Sequence, residues 1–180
     1  LKNYLKYLYL NGAKNFYVMA YNSRLTLLNK KEILSLNLFC IKQVKKLNKD
    51  NIIICGEPYH CSTDESIDYA KYFEKNGADI VSVIFGEKFY SEDQLYSHFK
   101  EIHNKTNCFL LLHQQILENG ISSNPNFVYY PIKVLEKISN LPKFIAMKED
   151  AKSDSYTKKI CKKISKNMTI ITSGGGKRQW

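Results

Sequence analysis

A short apolar stretch ending in charged residues carries the side chain best suited to covalent chemistry, Lys148. Residues 144–147 are apolar, Pro142 precedes them, and Lys148, Glu149 and Asp150 follow directly. Such a run predicts a buried strand, with Lys148 at its C-terminal end and the amine facing a cavity. Burial favours a neutral lysine amine, which can form a Schiff base with a ketone or aldehyde. The other interpretation is a surface lysine that closes the strand, and Glu149 would either orient Lys148 or cap the next helix.

Histidines and one cysteine supply further candidates for proton transfer or for the lining of a pocket. His113 follows an apolar run, and its imidazole suits a general acid or base; alternatively it is a buried, hydrogen-bonded histidine. His60 and Cys61 lie in a loop after another apolar run, where they line the pocket or only pack. His98 and His103 fall on a predicted helix and are expected to be structural.

The glycine-rich stretch at residues 174–178 is a candidate anion site, with Gly174 and Gly175 followed by Lys177 and Arg178. Its spacing differs from the G-x-x-x-x-G-K-[ST] pattern of nucleotide-binding loops. Glycines and cations after a strand can bind a phosphate or carboxylate, or form a turn with a charged exit. No cluster in the sequence has the spacing of metal ligands, so we expect neither a metal nor another cofactor.

For these groups to meet, the strands that precede them must end side by side. The sequence predicts such strands, because strand-like runs alternate with helical patterns along the chain. Apolar strand-like runs occur at residues 16–20, 51–55, 79–85, 108–112, 144–147 and 168–172, each separated from the next by a helical pattern. Predicted helix starts lie at Asn29 with Glu32, Thr63 with Ser66, Ser91, Pro131, and Ser153 or Asp154. Alternation of this kind predicts parallel βαβ units in an α/β protein. Six strands can form an open doubly wound sheet or part of a (β/α)8 barrel. No G-x-G-x-x-G follows the first strand, which argues against a dinucleotide-binding site.

In both architectures the functional groups lie at the C-terminal ends of the strands. The predicted strands here end in polar residues that would encircle the single lysine. These are residues 21–24, Gly56 and Glu57, Gly86 and Glu87, His113 and Gln114, Lys148 and Glu149, and Ser173 and Gly174.

Composition limits the classes of function. The 180 residues carry 27 lysines and arginines against 17 acidic residues, a net charge of +10. The lysines recur on predicted helix faces without a nucleic-acid-binding motif, so we expect no nucleic-acid partner. No apolar run is as long as a membrane span. Lys2 and Lys6 interrupt the first apolar segment, which is unlike a secretory signal. The five cysteines are scattered and are expected to be reduced thiols. We therefore expect a cytoplasmic protein without a membrane partner.

Three motifs resemble the dihydrodipicolinate synthase and N-acetylneuraminate lyase family of class I aldolases. Residues 94–102 resemble the helix after the family's fourth strand, residues 145–150 its Gly-Ile-Lys-Glu motif, and residues 172–174 its Ser-Gly after the seventh strand. The resemblance implies that Lys148 forms the Schiff base and that no cofactor is needed. It also implies a (β/α)8 barrel, a TIM barrel, that assembles as a homo-oligomer, a tetramer or a dimer. Residues 1–180 would form one partial barrel domain, from helix one through strand seven.

Several positions depart from the family pattern. Its Gly-Thr-Thr-Gly-Glu loop is replaced by residues 20–24, in which Asn22 and Ser23 can still bind an anion and Tyr21 either binds substrate or packs. The family's relay tyrosine falls at His113, and its loop arginine falls at Glu118. The tyrosine pair after the fourth strand falls near Gly86 and Glu87. The synthase reaction on aspartate semialdehyde is therefore not the one expected.

The sequence thus predicts a lyase that acts on a 2-oxo acid, such as pyruvate, or on a sugar-derived keto acid by aldol cleavage or condensation. Lys148 would form the imine and His113 would move protons. Tyr21, Asn22, Ser23, Gly174 and Gly175 would hold the anionic end of the substrate. The alternative is a barrel that has lost catalysis and serves in binding or assembly.

Overall fold

A computed structural model describes residues 1–19, 27–86, 91–114, 129–151 and 153–172. Helices and strands alternate along these residues, as the sequence predicts. The helices are α1 (Lys2–Leu10), α2 (Lys30–Leu47), α3 (Thr63–Lys75), α4 (Glu92–Lys105), α5 (Ile132–Ser139) and α6 (Asp154–Ile164). The strands are β1 (Asn15–Val18), β2 (Ile52–Gly56), β3 (Ile80–Val83), β4 (Phe109–Gln114), β5 (Phe144–Glu149) and β6 (Thr169–Thr172).

The strands form one parallel sheet in the order β1-β2-β3-β4-β5-β6. A doubly wound sheet reverses its strand order near the middle, whereas a barrel places each strand beside the next one in the chain. Side chains from β1 and β4 also meet directly, since the Tyr17 hydroxyl lies 3.3 Å from His113 Nδ1. Three strand spacings on a flat sheet would separate them by about 14 Å. The sheet therefore curves, and the fold is the predicted α/β type, an incomplete (β/α)8 barrel.

Three of the helices α1–α6 start at side-chain caps that the sequence predicts. Asn29 with Glu32 and Ser91 with Gln94 form capping boxes at α2 and α4. Ser153 caps α6. These caps satisfy backbone N–H groups that the first helical turn leaves without partners.

The predicted cap of α3 was wrong by one residue. Ser62, rather than Thr63, accepts the backbone N–H of Glu65, and Glu65 in turn accepts the N–H of Ser62. A glutamate can return to the cap backbone from the third helical position, which Ser66 does not do here. The Thr63 hydroxyl instead lies 3.0 Å from Nδ1 of His98 on α4.

The two faces of the sheet bury different sets of side chains. A large cluster, including Ile53, Val81, Leu110 and Leu112, packs between the sheet and the helices. A small cluster of Ile54, Ile80, Leu111 and Ala146 packs on the opposite face, which is the inside of the curved sheet. Because side chains alternate along a strand, the residues two positions after this inner layer also face inward. That step leads to the polar end of the sheet.

Candidate active site

Lys148 and His113 meet on the inner face of the sheet. Lys148 lies two residues after Ala146 on β5, and His113 lies two residues after Leu111 on β4. The two positions are register partners, and Lys148 Nζ is 3.2 Å from His113 Nε2. The pairing of β4 with β5 therefore places a primary amine against an imidazole at the C-terminal edge, which is where the sequence predicts each of the two residues.

Asp150 completes this cluster, and sequence reasoning gave it no role. Its Oδ2 is 2.8 Å from His113 Nε2 and also makes a short contact with Lys148 Nζ. Asp150 follows the last residue of β5, and its side chain is 11% exposed, against 18% for Lys148 and 6% for His113. Its position two residues after Lys148 was the available signal, since such positions share a face of an extended chain.

Tyr17 and Ser82 extend the cluster across the inside of the sheet. The Tyr17 hydroxyl on β1 lies 3.3 Å from His113 Nδ1 and 2.6 Å from the Ser82 hydroxyl on β3. Burial raises the pKa of Tyr17 well above its ordinary value, an effect that the Ser82 hydrogen bond opposes. Tyr17 therefore remains a neutral phenol at physiological pH. Ser82 could have been noticed as the polar residue of an otherwise apolar strand.

His113 is held largely as a neutral imidazole. Burial lowers its pKa, the hydrogen bond to Asp150 opposes that effect, and the Lys148 charge lowers the pKa further. A neutral imidazole carries one hydrogen and one lone pair, so it can both donate and accept in the chain of contacts between Tyr17 and Asp150.

Glu57 is a second buried acid near this cluster, in a cavity that His113 also lines. Its residue exposure is 4%, and it lines the cavity together with Tyr17, Ser82 and His113. Burial raises the Glu57 pKa to about 8, although the N–H of Ile84 donates to Oε1 at 2.8 Å and opposes the shift. At neutral pH this side chain is therefore mostly a neutral carboxylic acid.

Glu149 faces away from this cluster. Its carboxylate accepts the hydroxyl of Thr157 on α6 at 2.9 Å and the backbone N–H of Ala151. It therefore ties the end of β5 to α6, which supports a structural role rather than orientation of Lys148.

The other histidine and cysteine candidates lie apart from the Lys148 cluster. His60 and Cys61 line a second cavity with Lys30, Glu65 and Tyr69. His98 is buried between Phe85 and Phe99, which supports the structural role predicted for it. His103 contacts its neighbour Asn104 on the same helix.

The predicted anion-binding residues Tyr21, Asn22, Ser23, Gly174 and Gly175 lie outside the described residues, as do Glu87 and Glu118. Within the described parts of the chain, no group of three or more His, Cys, Asp or Glu side chains is placed to hold a metal ion. None of the helices α1–α6 is long and apolar enough to cross a membrane.

The chain is similar to known proteins of one family. A family model described as the dihydrodipicolinate synthetase family matches residues 3–177, so the chain belongs to that family. Among curated relatives, a 4-hydroxy-tetrahydrodipicolinate synthase of Clostridium perfringens strain SM101 is 28% identical over 153 residues, which cover 83% of this chain and 47% of the relative. The chain thus spans about half the length of the curated relatives it matches.

Solved structures agree on the fold. Dihydrodipicolinate synthase DapA-2 from Bacillus anthracis superimposes with a TM-score of 0.82 at 20% identity, covering 97% of this chain and 56% of that one. YagE, a prophage protein of the same family from Escherichia coli K12, was solved in complex with pyruvate. It gives a TM-score of 0.82 at 14% identity over 96% of this chain and 56% of its own.

Proposed function

We propose that this protein is a class I lyase or aldolase in which Lys148 forms a Schiff base with a 2-oxo acid or a sugar-derived keto acid. The observation that carries the proposal is the position of the Lys148 amine. It lies on the inner face of the sheet, at the C-terminal strand edge, beside a neutral imidazole and a carboxylate. Barrel enzymes carry their reacting groups at this edge.

The chemistry follows from the imine. The neutral amine of Lys148 attacks the carbonyl carbon, and loss of water leaves an iminium ion. In aldol cleavage that cation accepts the electron pair of the bond between its α and β carbons and becomes an enamine. In condensation the iminium ion first loses a proton from its α carbon, and the resulting enamine supplies the electron pair that forms the same bond. His113 moves protons in the carbon–carbon bond steps that follow the imine, since its imidazole lies beside Lys148 and is hydrogen-bonded to the Tyr17 hydroxyl.

Recognition of the substrate carboxylate is assigned to two short stretches, one that replaces the family's threonine loop and one that is rich in glycine. Tyr21, Asn22 and Ser23 follow β1 in the chain, and Gly174 and Gly175 follow β6. Hydroxyl, amide and backbone N–H groups can hold a carboxylate without a metal. Pyruvate is the first ligand to test, because YagE was solved with it.

We further propose that the chemistry is covalent through Lys148 and needs no cofactor. The active form is a homo-oligomer, a tetramer or a dimer, in the cytoplasm, and residues 1–180 contribute one partial barrel domain.

A barrel that has lost catalysis is the competing function. The observation that favours it is the contact between Lys148 and Asp150, because a lysine held by a carboxylate also suits a purely structural role. The altered loop at residues 20–24 points the same way.

Reductive trapping distinguishes the two functions. Incubation of the whole polypeptide with pyruvate and borohydride should add the mass of the reduced adduct at Lys148. Lys148→Ala should abolish the addition, whereas Lys133→Ala should not, since Lys133 is 69% exposed on α5. Labelling elsewhere, or none with any keto acid tested, would reject the Schiff-base function.

A further inference from the structure

Asp150 is the side chain that touches both the amine and the imidazole of the site. A single oxygen, Oδ2, contacts Lys148 Nζ and His113 Nε2. A carboxylate oxygen with two such partners receives hydrogens from both, since an ionised carboxylate only accepts. The direction of these two hydrogen bonds decides which group can take a proton from Lys148.

The chain of contacts assigns the hydrogens. His113 Nε2 must donate to the Asp150 carboxylate at 2.8 Å, which leaves Nδ1 as the acceptor for the Tyr17 hydroxyl at 3.3 Å. The Tyr17 oxygen is then free to accept the Ser82 hydroxyl at 2.6 Å. His113 and Tyr17 then each donate one hydrogen bond and accept one, Ser82 donates, and the Asp150 oxygen accepts.

The assignment leaves His113 without a lone pair facing Lys148. Its Nε2 already carries a hydrogen that points to Asp150. Although Nε2 lies 3.2 Å from Lys148 Nζ, it therefore cannot receive a proton from the amine. The Asp150 carboxylate, in contact with the same amine, can receive it.

We propose that Asp150, rather than His113, takes the proton from Lys148 as the imine forms and returns it to the departing hydroxyl. The inference rests on the proposed function and assigns the residue that performs its first proton transfer. The step is balanced: a lysine ammonium and a ketone give an iminium ion and water. Of the three ammonium hydrogens, one stays on nitrogen and two leave with the carbonyl oxygen. Asp150 holds one of these while the nitrogen–carbon bond forms and the carbon–oxygen bond breaks.

The competing role for Asp150 is a clamp that only fixes the lysine in place, and the two roles predict opposite results. Asp150→Asn keeps the size of the side chain and an acceptor oxygen, but removes the ability to take up a proton. If Asp150 accepts the proton, the substitution removes that acceptor and imine formation slows. If Asp150 only clamps the lysine, the substitution frees the lysine and imine formation proceeds equally fast or faster.

The experiment measures the rate at which pyruvate and borohydride add mass at Lys148 in the whole polypeptide. Asp150→Asn should slow trapping at neutral pH by ~10²-fold or more, the usual scale for loss of a general acid or base. Asp154→Asn is the matched control, since Asp154 is an exposed aspartate at the start of α6 and should trap like the original protein. Circular dichroism and thermal melting verify that each variant is folded.

The pH profile gives a readout that a structural role would not change. Lys148 Nζ and His113 Nε2 both contact Oδ2 of Asp150, and the Tyr17 hydroxyl and the Glu57 acid lie beyond His113, in the cavity that His113 lines. The slowed Asp150→Asn variant should gain trapping more steeply with rising pH than the Asp154→Asn control, because only in Asp150→Asn does hydroxide replace a missing base. If Asp150→Asn does not fold, Asp150→Ala with added acetate replaces it, and acetate should restore trapping.

The outcomes separate the two proposals. Equal or faster trapping by folded Asp150→Asn, or no rescue of folded Asp150→Ala by acetate, would overturn the role of Asp150. Absence of trapping in the unaltered protein would instead overturn the Schiff-base function on which that role rests.

Discussion

His113 and Lys148 are register partners on neighbouring strands, and their side-chain nitrogens lie 3.2 Å apart on the inner face of the sheet. Partner positions on adjacent parallel strands point to the same face, so the backbone hydrogen bonds of β4 and β5 set this approach. The residues are far apart in sequence, yet neither depends on a loop for its position. A site built on strands in this way holds its groups rigidly.

Replacement of His113 should separate imine formation from turnover. His113→Ala is expected to leave trapping of Lys148 largely intact while turnover falls by ~10²-fold or more, because a lost acid or base affects the proton transfers that follow the imine. Steady-state kinetics with the substrate found by screening, and trapping in parallel, measure both. Unchanged turnover would make His113 a packing residue.

Glu57 should make the protein less stable as pH rises through neutrality. Its folded-state pKa of about 8 lies above the ordinary value of 4.5 because of burial. Below pH 4.5 both states are protonated; between 4.5 and 8 only the folded state keeps the proton, so the free energy of unfolding falls by up to about 1.4 kcal/mol per pH unit.

Glu57→Gln should remove that slope, since a glutamine cannot ionise. Urea unfolding at several values between pH 5 and 8 measures it, and Glu65→Gln on the exposed start of α3 controls for the loss of one acid. Identical slopes in the original protein and Glu57→Gln would show that Glu57 ionises without difficulty in the fold.

His98 should have the opposite effect at acid pH. Burial lowers its pKa from 6.5 to about 4, so below pH 6.5 the unfolded chain takes up a proton that the folded protein does not. Stability due to neutral His98 is complete above pH 6.5 and is lost as pH falls toward 4. His98→Asn should reduce this loss, measured by thermal melts from pH 7 to 4, with His103→Asn on the same helix as the control. A steeper loss in His98→Asn would contradict the assignment.

Gly56 should not tolerate a side chain. A Cβ there would lie 2.7 Å from the backbone oxygen of Met19, and a backbone atom cannot move aside as a flexible side chain would. Gly56→Ala should therefore push β1 from β2 and lower the free energy of unfolding by about 1–3 kcal/mol. Denaturant unfolding measures the change; an unaltered midpoint would show that the strands separate freely.

Local sequence signals predicted the elements well because their causes are local. Asn29 and Ser91 start helices through contacts only three residues long, and apolar runs form strands. The error at Thr63 arose because two adjacent hydroxyl residues compete for one cap, and the choice depends on which later residue can reach back. Curvature of the sheet is not a local property, so the elements alone left an open sheet and a barrel as alternatives until the strand order resolved them.

The site was predictable only in part for the same reason. Lys148 and His113 end recognisable strands, so their positions at the sheet edge followed from the pattern. Tyr17 and Asp150 belong to the site through contacts between residues that are far apart in sequence. Tyr17 on β1 contacts His113 on β4, and Asp150, just after β5, contacts the same histidine. The spacing of Asp150 from Lys148 indicates a shared face of the extended chain, but no spacing in the sequence specifies the contact of Tyr17 or of Asp150 with His113.

On the inner face of the sheet, a single strand carries both a packing residue and a residue of the candidate site. Leu111 and Ala146 belong to the apolar layer, and His113 and Lys148 follow each of them by two residues. Substitutions at the later positions can change the chemistry while the earlier positions keep the layer packed. Selection can therefore act on the strand ends of this barrel without rebuilding its interior, and His113 and Lys148 are two such strand-end positions.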